Sequence, residues 1–304
     1  MPTTVVDSLI KVKKSDGSFE ITHPFTKSAN VKTEEAINVM LSSPIGSFKN
    51  GDTIAADTSV TSIIKKLLQE QIPPTYSSPS AKLTATGSTA GNYEAGTTLN
   101  PTLSCVFTKG DAGDVTANKI TKNGTEVANT TNLTTTYTDS FVIGDETVTF
   151  DASVAYGAGV VKNDNFGEPY AATSIKAGTA DTSEIKYVGY RTWFHGATAA
   201  TAAPTTSAEI RALNKGNAAA AAGKSFSVSV TKGQQAVIFA YPATLRDVNS
   251  VKYVEAGNDE SRLLFTKTTI DVEGASGYDA VSYKVYYMIG DQPFPANMTF
   301  NVTI

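Results

Sequence analysis

Few side chains in this 304-residue chain have the type and spacing that chemistry needs. The two histidines are His23, beside Pro24, and His195, close after Trp193. Neither stands at the spacing of a Ser–His–Asp set or beside a second metal-ligating side chain, so neither marks a nucleophilic or metal centre. The single cysteine, Cys105, lies in the apolar run Ser-Cys-Val-Phe. Alone it closes no internal disulfide, and its surroundings predict a buried thiol packing as a small hydrophobe. Oxygen-bearing side chains gather at Asp111-Ala-Gly-Asp114 and Asn163-Asp164-Asn165. Ca²⁺ takes such ligands, but no glutamate follows at the spacing of a Ca²⁺ loop, so turn chemistry is the expected role of both clusters. The chain reads as a non-enzyme, with no cofactor and no metal expected.

Recognition is suggested by one aromatic group, in EIKYVGYRTWF at residues 184–194. Exposed ring faces there would stack on sugar rings while Arg191 and His195 hydrogen-bond hydroxyls. That makes Tyr190, Arg191, Trp193 and His195 a candidate site for a cell-surface carbohydrate. Strand alternation buries about half of such a group whatever its function, so core packing is the competing role.

The element around which the rest is arranged is the segment 51–74. Val60, Ile63, Ile64, Leu67 and Leu68 follow the spacing of one helix face. Asp57 or Thr58 is expected to cap its start, and Pro73-Pro74 to end it. A helix of about 12–15 residues is marginal alone in water, so the stripe needs either the chain's own β region or the same face of a neighbouring copy. These five residues are the candidate oligomerisation contacts. Before them, residues 1–50 hold too few large apolar side chains for a core of their own, which predicts an arm ordered on a partner. Within it the pattern predicts a hairpin over 7–25, turning at Ser15-Asp16-Gly17, and a short helix over 33–41.

From Ser80 the periodicity changes to two, with turn signals between short apolar runs. The fold class expected is mainly β: an attachment arm with short helices (1–50), a helical linker and oligomerisation segment (51–79), then two β-sandwich units. An Ig-like sandwich is expected over 80–200, a helical connector over 201–223 and a C-terminal β-domain over 224–304. Strand candidates include 103–108, 115–121, 146–154, 171–175, 236–241 and the final MTFNVTI, whose truncation is expected to destabilise the fold.

Charged residues are 18% and the net charge is −4, so no basic field draws the chain to nucleic acid or an acidic membrane surface. No stretch approaches the roughly 20 apolar residues that span a bilayer, and the N-terminal residues lack a charged segment followed by an apolar core. Neither membrane insertion nor a secretory leader is expected.

The segment GDTIAADTSVTSIIKKLLQEQIPPTYSSPSAKLTATGSTAGNYEAGTTLNPTL resembles a recurrent unit in structural proteins of tailed bacteriophages. The C-terminal pieces FAYPA and YKVYYM are similar to terminal domains of the same proteins, and IKVKKSDGSFEITHPFTKSANVKTEEAINVML looks like the virion-attachment segment of phage fibres. The resemblance implies a displayed, trimeric virion appendage, a head fibre, tail fibre or decoration protein, whose residues 1–50 bind other capsid or tail proteins.

Overall fold

Two side-chain periods organise the molecule: a single helical stripe near the front, and alternation at period two behind it. The structure, a computed structural model, describes residues 10–13, 19–22, 37–38, 45–49, 51–218 and 225–304. It is mainly β, and the chain divides into two compact units.

The first unit comprises Met1–Ser78, Gly110–Gly113 and Ala158–Ala177. Strands β1 (Ile10–Lys13) and β2 (Phe19–Thr22) pair antiparallel as the arms of the expected hairpin, whose turn and His23 lie outside the described residues. The helix expected over 33–41 is corrected: β3 (Ile37–Asn38) pairs antiparallel with β4 (Thr53–Ile54). Ile and Asn are both poorer helix formers than Ala or Leu, and β-branched partners on β4 favour pairing.

Helix α1 (Val60–Leu68) has nine residues, fewer than its sequence pattern suggests. Its cap is Ser59, whose hydroxyl accepts from the Ser62 N–H at 3.2 Å. Asp57 instead takes a positive φ of 63° in the turn before the helix. The helix stops at Gln69, already extended at φ −128°, ψ 141°, before the prolines are reached. Its last turn is closed from outside: the Ser47 N–H donates to the Lys66 carbonyl at 2.8 Å. Gly46, at φ +58°, lies so close to the Lys66 and Leu67 carbonyls that a Cβ would overlap them.

The extended exit is held by the oxygen cluster at 163–165. Gln71 Nε2 donates to Asp164 at 2.6 Å, the Ile72 N–H donates to Asn165 at 2.8 Å, and Asn165 donates to the Glu70 carbonyl at 3.1 Å. The strand expected over 171–175 is a turn instead, with the Ser174 N–H and hydroxyl both donating to the Ala171 carbonyl, at 3.2 and 2.8 Å. Serine competes for backbone partners in this way and so favours turns.

The second unit holds two β regions. The first contains β5 (Ser80–Gly87), β6 (Gly91–Glu94), β7 (Thr98–Leu99), β8 (Pro101–Thr108), β9 (Val115–Lys122), β10 (Thr125–Thr130), β11 (Thr134–Thr138), β12 (Phe141–Val142), β13 (Thr147–Tyr156), β14 (Gly178–Asp181) and β15 (Ile185–Tyr190). One sheet runs β10-β9-β13-β15-β6 with β14 also on β13, another runs β11-β8-β5, and β12 pairs with β7. All these pairings are antiparallel except β15 with β6. Leu103, Cys105 and Phe107 of β8 meet Phe150, Ala152 and Val154 of β13 and Tyr187 of β15 in one core.

The second region contains β16 (Thr192–Thr198), α2 (Ser207–Arg211), β17 (Asn214–Ala218), β18 (Ser225–Val230), β19 (Ala236–Pro242), β20 (Ser250–Tyr253), β21 (Asp259–Glu260), β22 (Thr266–Val272), β23 (Val281–Ile289) and β24 (Met298–Thr303). Its sheets run β17-β16-β19-β23-β22 and β18-β24-β20-β21. A core of Val228, Phe239, Tyr241, Phe300 and Val302 lies on one face of β19. Phe194, Ile210, Ile238 and Val285 pack on its other face, beneath α2. Every residue of β19 is therefore buried, which explains its continuous apolar run. Within the described part of the helical connector expected over 201–223, the short α2 is followed by β17, which pairs with β16 at the edge of the sheet, so the segment is corrected to a helical turn and a strand. α2 is started by a capping box of Thr206 and Glu209. The change from one β region to the next falls at Arg191, not at residue 200, because β16 pairs with β17 and β19.

Candidate functional site

The candidate sugar-binding residues span the passage from one β region of the second unit to the other, and charge pairs hold that junction. Glu94, at the end of β6, accepts from Arg211 of α2 at 2.8 Å and from Lys215 of β17 at 3.0 Å. Arg211 also donates to the Glu273 carbonyl at 2.6 Å and lies over the Phe194 ring. Burial alone would raise the Glu94 pKa, but the bonds from Lys215 and Arg211 outweigh it and hold the carboxylate below its usual range. The Ala275 N–H donates to the Ala95 carbonyl at 2.7 Å, adding a backbone bond across the same junction.

Arg191 is the one residue between β15 and β16. Its Nε and one terminal nitrogen donate to the two Asp145 oxygens at 2.7 and 2.9 Å, and the other donates to the Asp279 carbonyl at 2.6 Å. The side chain is 9% exposed and also lies over the Tyr278 ring. Such a guanidinium is a structural clamp with little left to offer a ligand.

The four predicted carbohydrate contacts do not come together. Tyr190 and Arg191 line a cleft of about 490 Å³ with Asp145, Thr244, Leu245 and Ser282. Trp193 and His195 lie elsewhere, on the face of β16 that packs against the β18 side. Their rings stack at 4.5 Å, and Phe226 lies 4.0 Å from the Trp193 centroid. Gly216 crosses so close to the indole that any Cβ would overlap it. His195 Nδ1 is buried with no partner among the described residues, and burial pushes the imidazole pKa down. Tyr187 is buried, donating to the Ser88 carbonyl at 2.8 Å, and Phe194 faces the opposite core beside Tyr283. Nothing near residues 184–195 in sequence signals Thr244 or Ser282, which complete the cleft.

The α1 residues behave differently. Val60 and Ile63 are half-buried, while Ile64 is 46%, Leu67 41% and Leu68 79% exposed. No residue of the helix is fully buried, and the Ile64, Leu67 and Leu68 part of its apolar stripe faces outward.

Asp164 is the most enclosed of the clustered oxygen-bearing residues. One of its oxygens accepts from the Phe166 and Glu168 N–H groups at 2.8 and 3.0 Å, and the other from Gln71. Asp111 accepts from the Ser77 N–H and Lys162, both within 2.8 Å, and Asp114 accepts from Lys109 at 2.7 Å. These oxygens hold the backbone and pair with lysines. Among the described residues no group of three or more His, Cys, Asp or Glu is gathered for a metal, and no helix is long and apolar enough to cross a membrane. Cys105 is fully buried, and burial raises its thiol pKa. No protein-family model matches the chain, and no curated protein or solved structure is significantly similar to it.

Proposed function

We propose that the chain is a non-enzymatic structural protein of a bacteriophage virion, a fibre or decoration protein with a head fibre favoured. Residues 1–50 anchor it to other capsid or tail proteins, α1 joins copies into a homotrimer, and two Ig-like β-sandwich domains are displayed. The carrying observation is α1: a helix of nine residues with an outward stripe at Ile64, Leu67 and Leu68. Water-exposed leucine and isoleucine at helical spacing favour burial against the same face of another copy, where each side chain fully covered contributes about 1.5–3 kcal/mol. The motif resemblance supports the virion assignment, and the two packed β regions support display.

The decisive experiment compares particles assembled with the full chain and with a version lacking residues 1–50. The shortened protein is expected to be soluble and absent from purified particles; its retention at full occupancy would overturn the anchoring assignment. The second reading is a tail-fibre receptor-binding protein that recognises host glycan through its β regions. The junction cleft favours it, in place of the Trp193 surface.

A further inference from the structure

Within the cleft at the junction of the two β regions, the hydroxyls of Tyr190, Thr244 and Ser282 have no hydrogen-bond partner within the described residues. The cleft volume, about 490 Å³, falls in the range of small-molecule sites. The wall is fixed in advance: the Ala243 N–H donates to the Ser282 carbonyl at 2.8 Å, the Leu245 N–H to the Pro242 carbonyl at 3.0 Å, and Lys284 to the Leu245 carbonyl at 2.5 Å. A preformed wall lowers the ordering cost of binding.

Charge narrows the ligand. The Arg191 guanidinium lines the cleft but is spent on Asp145 and the Asp279 carbonyl. The exposed half of that ion pair is the Asp145 carboxylate, whose side chain is 51% exposed and whose oxygens keep acceptor capacity beyond the Arg191 bonds. A sialylated or phosphorylated sugar would bring its negative charge toward that carboxylate with no free cation in the lining to meet it. A neutral sugar suits the lining: its hydroxyls donate to Asp145, exchange hydrogen bonds with the three free hydroxyls, and its C–H face covers the Tyr190 ring and Leu245.

We propose that this cleft binds an uncharged saccharide, a proposal that rests on the host-adhesion reading above and gives it a site and a ligand class. The full chain is tested on an array of neutral hexose and N-acetylhexosamine oligosaccharides beside sialylated and phosphorylated ones. Neutral glycans are expected to be retained. Thr244→Trp, which fills the cleft from an exposed loop, is expected to weaken that binding by about tenfold or more with an unchanged melting temperature. Ser282→Trp, on the strand beside that loop, is the second variant should the first not fold. Retention of no glycan, retention of charged glycans alone, or undiminished binding by both folded variants would overturn the proposal. Particle incorporation of Thr244→Trp is scored in parallel. Incorporation without glycan binding by the parent chain sinks the cleft and leaves the virion reading, whereas glycan binding by a protein absent from particles does the reverse.

Discussion

Glu94 is one of the side chains that join the two β regions. It has two cationic partners, one of them 19% exposed, in a region where solvent screening is partial. Glu94→Gln keeps the shape and removes the charge, and is expected to lower stability by about 1–3 kcal/mol at neutral pH, allowing for the exposure of Lys215. The pH dependence has a definite sign. The folded carboxylate is held below its ordinary pKa, so its contribution is present above that ordinary value and lost as pH falls through the depressed one. Thermal melts of both proteins should therefore show a gap that is widest near pH 7 and closes toward pH 3. An equal gap at both pH values would refute the ion-pair account. None of this was legible in the sequence, because Arg211 lies 117 and Lys215 121 residues from Glu94. Cys105 was legible, because its apolar neighbours are adjacent in the chain.

Among the elements, α1 and β24 lead to opposite expectations. Ile64→Asp with Leu67→Asp places charges on a face that none of the described residues buries, so the β regions should melt unchanged. The oligomer should fall to monomer, read as mass by light scattering; a mass that stays trimeric would exclude α1 from the contact. β24 is hydrogen-bonded on both sides, to β18 and β20, and carries Phe300 and Val302 into the core. Removal of residues 298–304 severs both ladders, and far-UV circular dichroism with limited proteolysis should show loss of the C-terminal region. Persistence of a protease-resistant C-terminal core would contradict this. Both elements were readable from periodicity: the helical stripe for α1, alternation for β24. The helix expected at 33–41 was not, since a few residues of apparent helical spacing are overruled when Ile37 finds Ile54 across a ladder. The end of α1 was misplaced for a related reason, because Asp164 and Asn165 capture the following residues before the prolines act.

For the whole chain, the mainly β class followed from alternation, but where one β region gives way to the next did not. EIKYVGYRTWF reads either as closing the first sandwich or as crossing to the next unit, and strand hydrogen bonding does pass from one sheet to another across Arg191. Sequence periodicity reports which residues face inward and is silent on which sheet receives them. The carbohydrate candidates divided for the same reason: alternation across Arg191 sends Trp193 and His195 to a packed face, while Tyr190 stays at the cleft.

The passage at Arg191 is a single residue, pinned on one side by Asp145 and on the other by the Asp279 carbonyl. A connection so short, locked by a two-pronged ionic contact, leaves no slack to act as a spring. Under viscous drag or a pull from a captured surface, the paired β regions would turn as one stiff lever, and load applied at one would reach the other undamped.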